Sequence, residues 1–147
     1  MRLFLFIAAC CSLLGCIEKS TLKPIVPYHV LHANSSKVWI LESRQVDGEE
    51  QAPQLRERKR VFTFFDNMEV FEQEIVHLGS NYGLLAGYSM QIDQHGKDTV
   101  LNVYYQTNAR KRFFRVTEIG YKELRLEVIP SDSIKEEWFL IPLNKPS

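Results

Sequence analysis

Neither sign of charge is in excess in this 147-residue chain, where 18 basic side chains stand against 18 acidic ones. The balance excludes the sequence-wide basic surplus with which a dedicated nucleic-acid binder attracts phosphate. Cysteine is scarce too: three residues, of which Cys10 and Cys11 fall within the first dozen positions. Glycine and proline, 7 and 6 residues, are too few and too irregular for a collagen-like chain. No apolar run reaches the roughly 20 residues of a bilayer-spanning helix, because Glu18 and Lys19 close the run that begins at Leu3. What remains is a chain 45% apolar, 12% aromatic and 24% charged, which can bury a core and is a poor candidate for disorder. One ordinary domain is expected.

The first fifteen residues stand apart. Met1-Arg2 followed by Leu3 to Leu14 has the charged and apolar regions of an export signal, so residues 1–15 are excluded from the fold. Leu13-Leu14-Gly15-Cys16 resembles the lipobox of bacterial lipoproteins. That resemblance implies cleavage before Cys16, lipidation of Cys16 with palmitate-like acyl chains, and a partner that is the membrane itself. Each buried methylene of such a chain contributes roughly 0.8 kcal/mol. A soluble secreted protein with a chance cysteine is the alternative. Ile17 stands where an aspartate would mark inner-membrane retention, so a lipid-anchored place in the cell envelope at an outer membrane is expected. Cys10 and Cys11 leave with the signal, and neither disulfide nor thiol chemistry remains. Residues 16–36, with Pro24, Pro27 and Asn34-Ser35-Ser36, read as lipidated N-terminus and tether.

From Lys37 onward, short apolar runs are broken by turn signals every 8 to 14 residues, with no convincing helical period. Strands are predicted near Lys37–Val46, Arg60–Phe65, Glu69–His77, Leu84–Asp93, Thr99–Gln106, Arg112–Thr117, Glu123–Ile129 and Glu137–Leu143. Asp47-Gly48, Asp66-Asn67, Thr107-Asn108 and Gly120 supply turn chemistry between them. Only residues 48–59 form a long polar connection, of the length that is often functional. The fold class is therefore all-β, and eight antiparallel strands joined in order most simply close as an up-and-down barrel over residues 37–143, with 144–147 as a tail. A two-sheet sandwich is the structural rival. A barrel of eight strands either fills with side chains or holds one small ligand.

Residues 37–143 resemble the lipocalin-like lipoproteins of bacteria, especially small ones of the Bacteroidetes type. The resemblance rests on Lys37-Val38-Trp39 opening the first strand, on Thr63-Phe64-Phe65-Asp66-Asn67 ending in a hairpin, and on Thr117-Glu118 leading through Gly120 into Leu124-Arg125-Leu126. It implies a cation covering Trp39 at the barrel floor, for which Arg125 and Lys145 are the candidates.

Loops after the first, third, fifth and seventh strands share one end of such a barrel, the mouth, and the tether enters at the other. Basic clusters border two mouth loops: Arg56, Arg58, Lys59 and Arg60 at one, Arg110, Lys111 and Arg112 at the other. Arg58, Arg60, Arg110 and Arg112 are the candidate rim for an anionic group, since like charges around a low-dielectric opening focus the field. The alternative is solvated loop charge, neutralised by Glu49, Glu50, Glu57, Glu136 and Glu137. Tyr88, Met90, Leu101, Val103 and Tyr105 alternate inward and are the pocket-lining candidates, or equally a plain core. No catalytic residue, metal site or cofactor is assigned. The histidine pair His29 and His32 has no third ligand in sequence, and Glu69, Glu72 and Glu74 read as surface carboxylates. Two functions follow: a membrane-anchored module binding a small apolar or amphipathic ligand in its barrel, or a non-enzymatic accessory subunit whose partner is another envelope protein.

Overall fold

Strand after strand, residues that alternate in the sequence alternate between interior and solvent. The computed structural model describes residues 27–93, 96–129 and 134–143. Its strands are β1 (Ser36–Val46), β2 (Glu49–Glu50), β3 (Arg60–Phe65), β4 (Glu69–Glu74), β5 (Leu84–Ile92), β6 (Thr99–Tyr105), β7 (Lys111–Ile119), β8 (Leu124–Val128) and β9 (Glu136–Pro142). Each strand from β3 onward pairs antiparallel with the next, β1 pairs with β3, and β1 pairs again with β9 from Trp39–Pro142 to Val46–Glu136. That last ladder closes the sheet. β1 and β3 to β9 form the eight-stranded up-and-down barrel the sequence predicts, and a sandwich is excluded.

β2 is the addition. It folds back on the mouth end of β1 through Asp47 and Gly48, both at positive φ, the geometry a two-residue hairpin demands. Two further differences from expectation are local. Ile75–His77, taken for the end of a strand, is a 3-10 turn, as is Arg56–Arg58 in the long connection.

A fourth difference closes the barrel floor. Part of the segment that reads as tether, Tyr28–His32, is a short helix, α1, with Leu31 fully buried and Val30 nearly so. Two adjacent apolar side chains find their burial beneath the barrel, and polar contacts fix them there. The Trp39 indole donates to the Leu31 carbonyl at 2.8 Å, and the Tyr28 hydroxyl donates to the Met90 carbonyl at 2.9 Å while accepting from the Met90 N–H. The cation over Trp39 is not Arg125 but Lys37, whose Nζ lies 4.0 Å from the ring and donates to the Val30 and Tyr121 carbonyls. Lys37 and Trp39 share a face of β1, so the flexible lysine stem reaches the indole directly. Arg125 instead lies over Phe139 and pairs with Glu118 at 3.1 Å, and Lys145 is outside the described residues.

The core is one cluster filling the barrel from this floor to near the mouth. Trp39, Phe62, Phe64, Tyr88, Leu101, Phe114, Leu126, Trp138 and Leu140 all belong to it. Edge-on packing of Phe64 against Tyr88 and tilted packing of Trp138 against Phe62 and Phe114 occupy the axis.

Candidate functional site

All five pocket-lining candidates are buried and belong to that core. Tyr88 and Met90 lie toward the floor, where the Tyr88 hydroxyl donates to the Phe65 carbonyl at 2.8 Å. Leu101, Val103 and Tyr105 border an internal cavity of about 10 Å³ that Phe62, Phe114 and Trp138 also line. A space of that size is at the lower limit for a single water. The interior is closely packed around that cavity, and a larger open volume lies elsewhere.

It lies at the mouth. A cleft of about 550 Å³ opens there, lined by Arg44, Arg60, Arg110, Lys111 and Arg112, with Trp138 at its base and Val128, Ile129 and Ile134 on one wall. β1, β3 and β7 supply Arg44, Arg60 and Arg112 from three directions: Arg60 opens the inward row of β3 with Phe62 and Phe64, Arg112 that of β7 with Phe114, and Arg44 lies opposite Trp138. Glu136 is the one carboxylate in the lining. It pairs with Arg44 at 3.4 Å and accepts the Trp138 indole N–H at 2.6 Å.

Beneath the rim sits a second carboxylate. Glu72 is only 8% exposed, because β4 alternates and places it in the inward row with Val70. A charge there requires partners, and it has three: Arg60 at 3.2 Å, Arg112 at 3.7 Å, and the Tyr105 hydroxyl, which donates to it. Burial, followed by the Glu72 charge and this bond, raises the Tyr105 pKa well above its ordinary 10.0, against the opposing pull of Arg112 and Arg110. Tyr105 is thus held as a donor.

Arg112 is the most confined of the cations. Its guanidinium carbon lies 5.5 Å from both the Tyr105 and the Trp138 ring centres. Its Nη1 is buried without a hydrogen-bond partner, since 3.7 Å to Glu72 is an ion pair but too long for a hydrogen bond. A desolvated N–H donor left open is costly. An anionic oxygen has the chemistry to satisfy such a donor.

The structure therefore brings together three of the four rim candidates, Arg60, Arg110 and Arg112. Arg58 is exposed in its 3-10 turn and does not line the cleft. Cys16 lies outside the described residues. The sequence misses Arg44, Glu72 and Trp138 as site residues. Strand alternation could have placed Glu72 inward. Arg44 could not be found that way, because a bulge between Leu41 and Ser43 shifts the phase of β1 before Arg44 comes opposite Trp138. Among the described residues no cluster of His, Cys, Asp and Glu is arranged to hold a metal. No family model matches the chain, and no curated protein or solved structure matches it either.

Proposed function

We propose that this protein is a non-enzymatic binding module, displayed from a cell-envelope membrane through a lipidated Cys16, that takes an amphipathic anion at the mouth of its barrel. One observation carries the reading: the cavity inside the barrel measures about 10 Å³, whereas the mouth offers about 550 Å³ lined by five cations around an indole. Cations gathered at a concave, partly desolvated surface attract a carboxylate or phosphate more strongly than scattered surface charges do. Arg112 and Arg110 supply the charge, and Trp138 with Val128, Ile129 and Ile134 supplies the apolar contact. The ligand sits on the barrel core rather than in it.

Octanoate and octyl phosphate are the probes that test this, titrated against the protein by calorimetry with Trp138 fluorescence in parallel. Binding that falls about ten-fold or more in Arg112→Gln supports the reading. Absence of binding by both probes overturns it.

A second reading, an accessory subunit of an envelope complex, draws on the outer wall. Leu85, Tyr104, Phe113 and Ile129 follow one another across β5 to β7 and the end of β8, each 36 to 40% exposed. A row of exposed apolar side chains over a filled barrel suits a protein contact. Native mass spectrometry of the gently extracted protein separates the two readings: a small-molecule adduct on the monomer favours the module, a fixed protein stoichiometry the subunit.

A further inference from the structure

The mouth has a second lobe beside β1. A cleft of about 280 Å³ shares Arg44, Arg60 and Trp138 with the basic cleft and extends from them between β1 and the segment that follows β2, with Leu41, Ala52 and Pro53 among its lining. The two lobes meet at the Trp138 indole.

This lobe exists because the barrel wall is incomplete there. The β1–β3 ladder ends at Ile40–Val61, and the β1–β2 ladder covers only Gln45–Glu50 and Val46–Glu49. Between them, residues 41–44 of β1 have no strand opposite on that side. One main-chain bond crosses the gap, from the Gln51 N–H to the Arg44 carbonyl at 2.8 Å, and one side-chain contact, Lys59 to Glu42 at 2.7 Å. On the other flank Glu42 is the bulged residue, because the β9 ladder steps from Leu41–Leu140 to Ser43–Phe139 and leaves it out. Glu42 thus stands in the ladder on neither side. An open edge of this kind is a template for another extended chain.

Resting on the mouth as the binding site, we propose that the ligand is an extended acidic peptide. It adds a short strand along residues 41–44 and delivers a carboxylate to Arg112 and Arg110. Charge and hydrogen-bonding chemistry agree on that occupant. The side lobe is lined by the amides Gln51 and Gln54 and by Ser43, which suit a peptide backbone, and by the carboxylates Glu42, paired with Lys59, and Glu50, which turn the acid of the peptide away from this lobe, whereas the basic lobe suits an acid. Four extended residues span ~13 Å at ~3.3 Å each. Side chains alternating along such a strand would turn every second residue toward Leu41 and Trp138.

The experiment uses the wild-type protein and three probes: acetyl-Val-Thr-Val-Glu with a free terminal carboxylate, the same peptide N-methylated at its second and fourth residues, and octanoate. Each is titrated by calorimetry, with the Glu42 amide followed by NMR. Strand addition predicts that the peptide binds, that N-methylation weakens it about ten-fold or more, and that the Glu42 amide shifts with the unmethylated peptide only. Equal binding of the two peptides overturns strand addition and leaves the anion site standing. Octanoate binding without peptide binding likewise overturns the peptide and leaves the site, with an alkyl amphiphile as its ligand. Failure of all three probes removes both readings.

Discussion

Tyr105 keeps its proton because burial and the Glu72 carboxylate make the phenolate expensive, and stability must follow. Its folded pKa is raised by burial first and by Glu72 second, so below the unfolded value, pH ~10, the contribution is fully present. As the pH rises beyond that, the unfolded chain releases the proton while the folded chain retains it, and stability falls. Tyr88 is raised in the same direction, mainly by burial. Urea denaturation is therefore expected to give a flat stability between pH 7 and pH 9 and a decline above pH ~10. In Tyr105→Phe the alkaline decline becomes shallower, while the neutral-pH value drops by about 1–3 kcal/mol because Glu72 loses a donor. An unchanged alkaline slope in that variant would remove Tyr105 from the account. Little of this was legible beforehand: a tyrosine and a glutamate 33 positions apart meet only once β4, β5 and β6 are in register. Glu72 by itself resembles its neighbours Glu69 and Glu74: Glu69 lies in the opposite strand phase, and Glu74, in the same phase as Glu72, ends β4 exposed at the rim.

Elements were easier to read than side-chain partners. Eight strands and their order follow from alternation and turn residues, since every inward triplet, such as Leu101-Val103-Tyr105, has polar or half-exposed neighbours between its members. α1 was not legible because a helix of five residues carries no period to detect, and because Pro27 and Asn34 on either side look like linker chemistry. Its stability comes from tertiary contact, so cutting that contact is a sharp test. Leu31→Ala removes a fully buried side chain that caps the core beside Trp39, and about 2–5 kcal/mol should be lost in denaturant titration. An equally local constraint governs the start of β5. A Cβ on Gly83 would stand 2.7 Å from the Glu72 carbonyl oxygen and 2.7 Å from the Phe71 ring. The ring can turn aside, but the strand carbonyl cannot. Gly83→Ala is expected to destabilise by about 1–3 kcal/mol, and because β4 must shift to accommodate it, weaker anion binding at Arg60 and Arg112 should accompany the loss. Gly87→Ala, whose Cβ would meet only the Met68 carbonyl at 3.9 Å, is the control without a clash.

At the scale of the molecule the charges sum to zero, yet they are not spread evenly: the cleft gathers Arg44, Arg60, Arg110, Lys111 and Arg112 at one end of the barrel. Arg44 and Arg60 are committed to Glu136 and Glu72, which leaves Arg110, Lys111 and the open face of Arg112 in excess. An anion that binds this excess binds only the closed barrel, because the cations come from strands far apart in sequence and the unfolded chain does not assemble them. Binding must therefore raise the unfolding free energy, by about 2.7 kcal/mol when the free ligand is at ~100 times its dissociation constant. Octanoate or the acidic peptide should raise the thermal midpoint of the wild-type protein in proportion to the logarithm of its concentration. The shift should shrink in 1 M salt, where the screening length falls to ~3 Å. It should vanish in the double variant Arg110→Gln, Arg112→Gln. The same double variant, measured without ligand, discriminates a binding surface from a structural ion network. Arg112 is one of three partners of the buried Glu72, so its loss alone should lower the unliganded midpoint, whereas a further fall in the double variant beyond that of Arg112→Gln would mean that Arg110 also holds the barrel together and that the mouth is architecture.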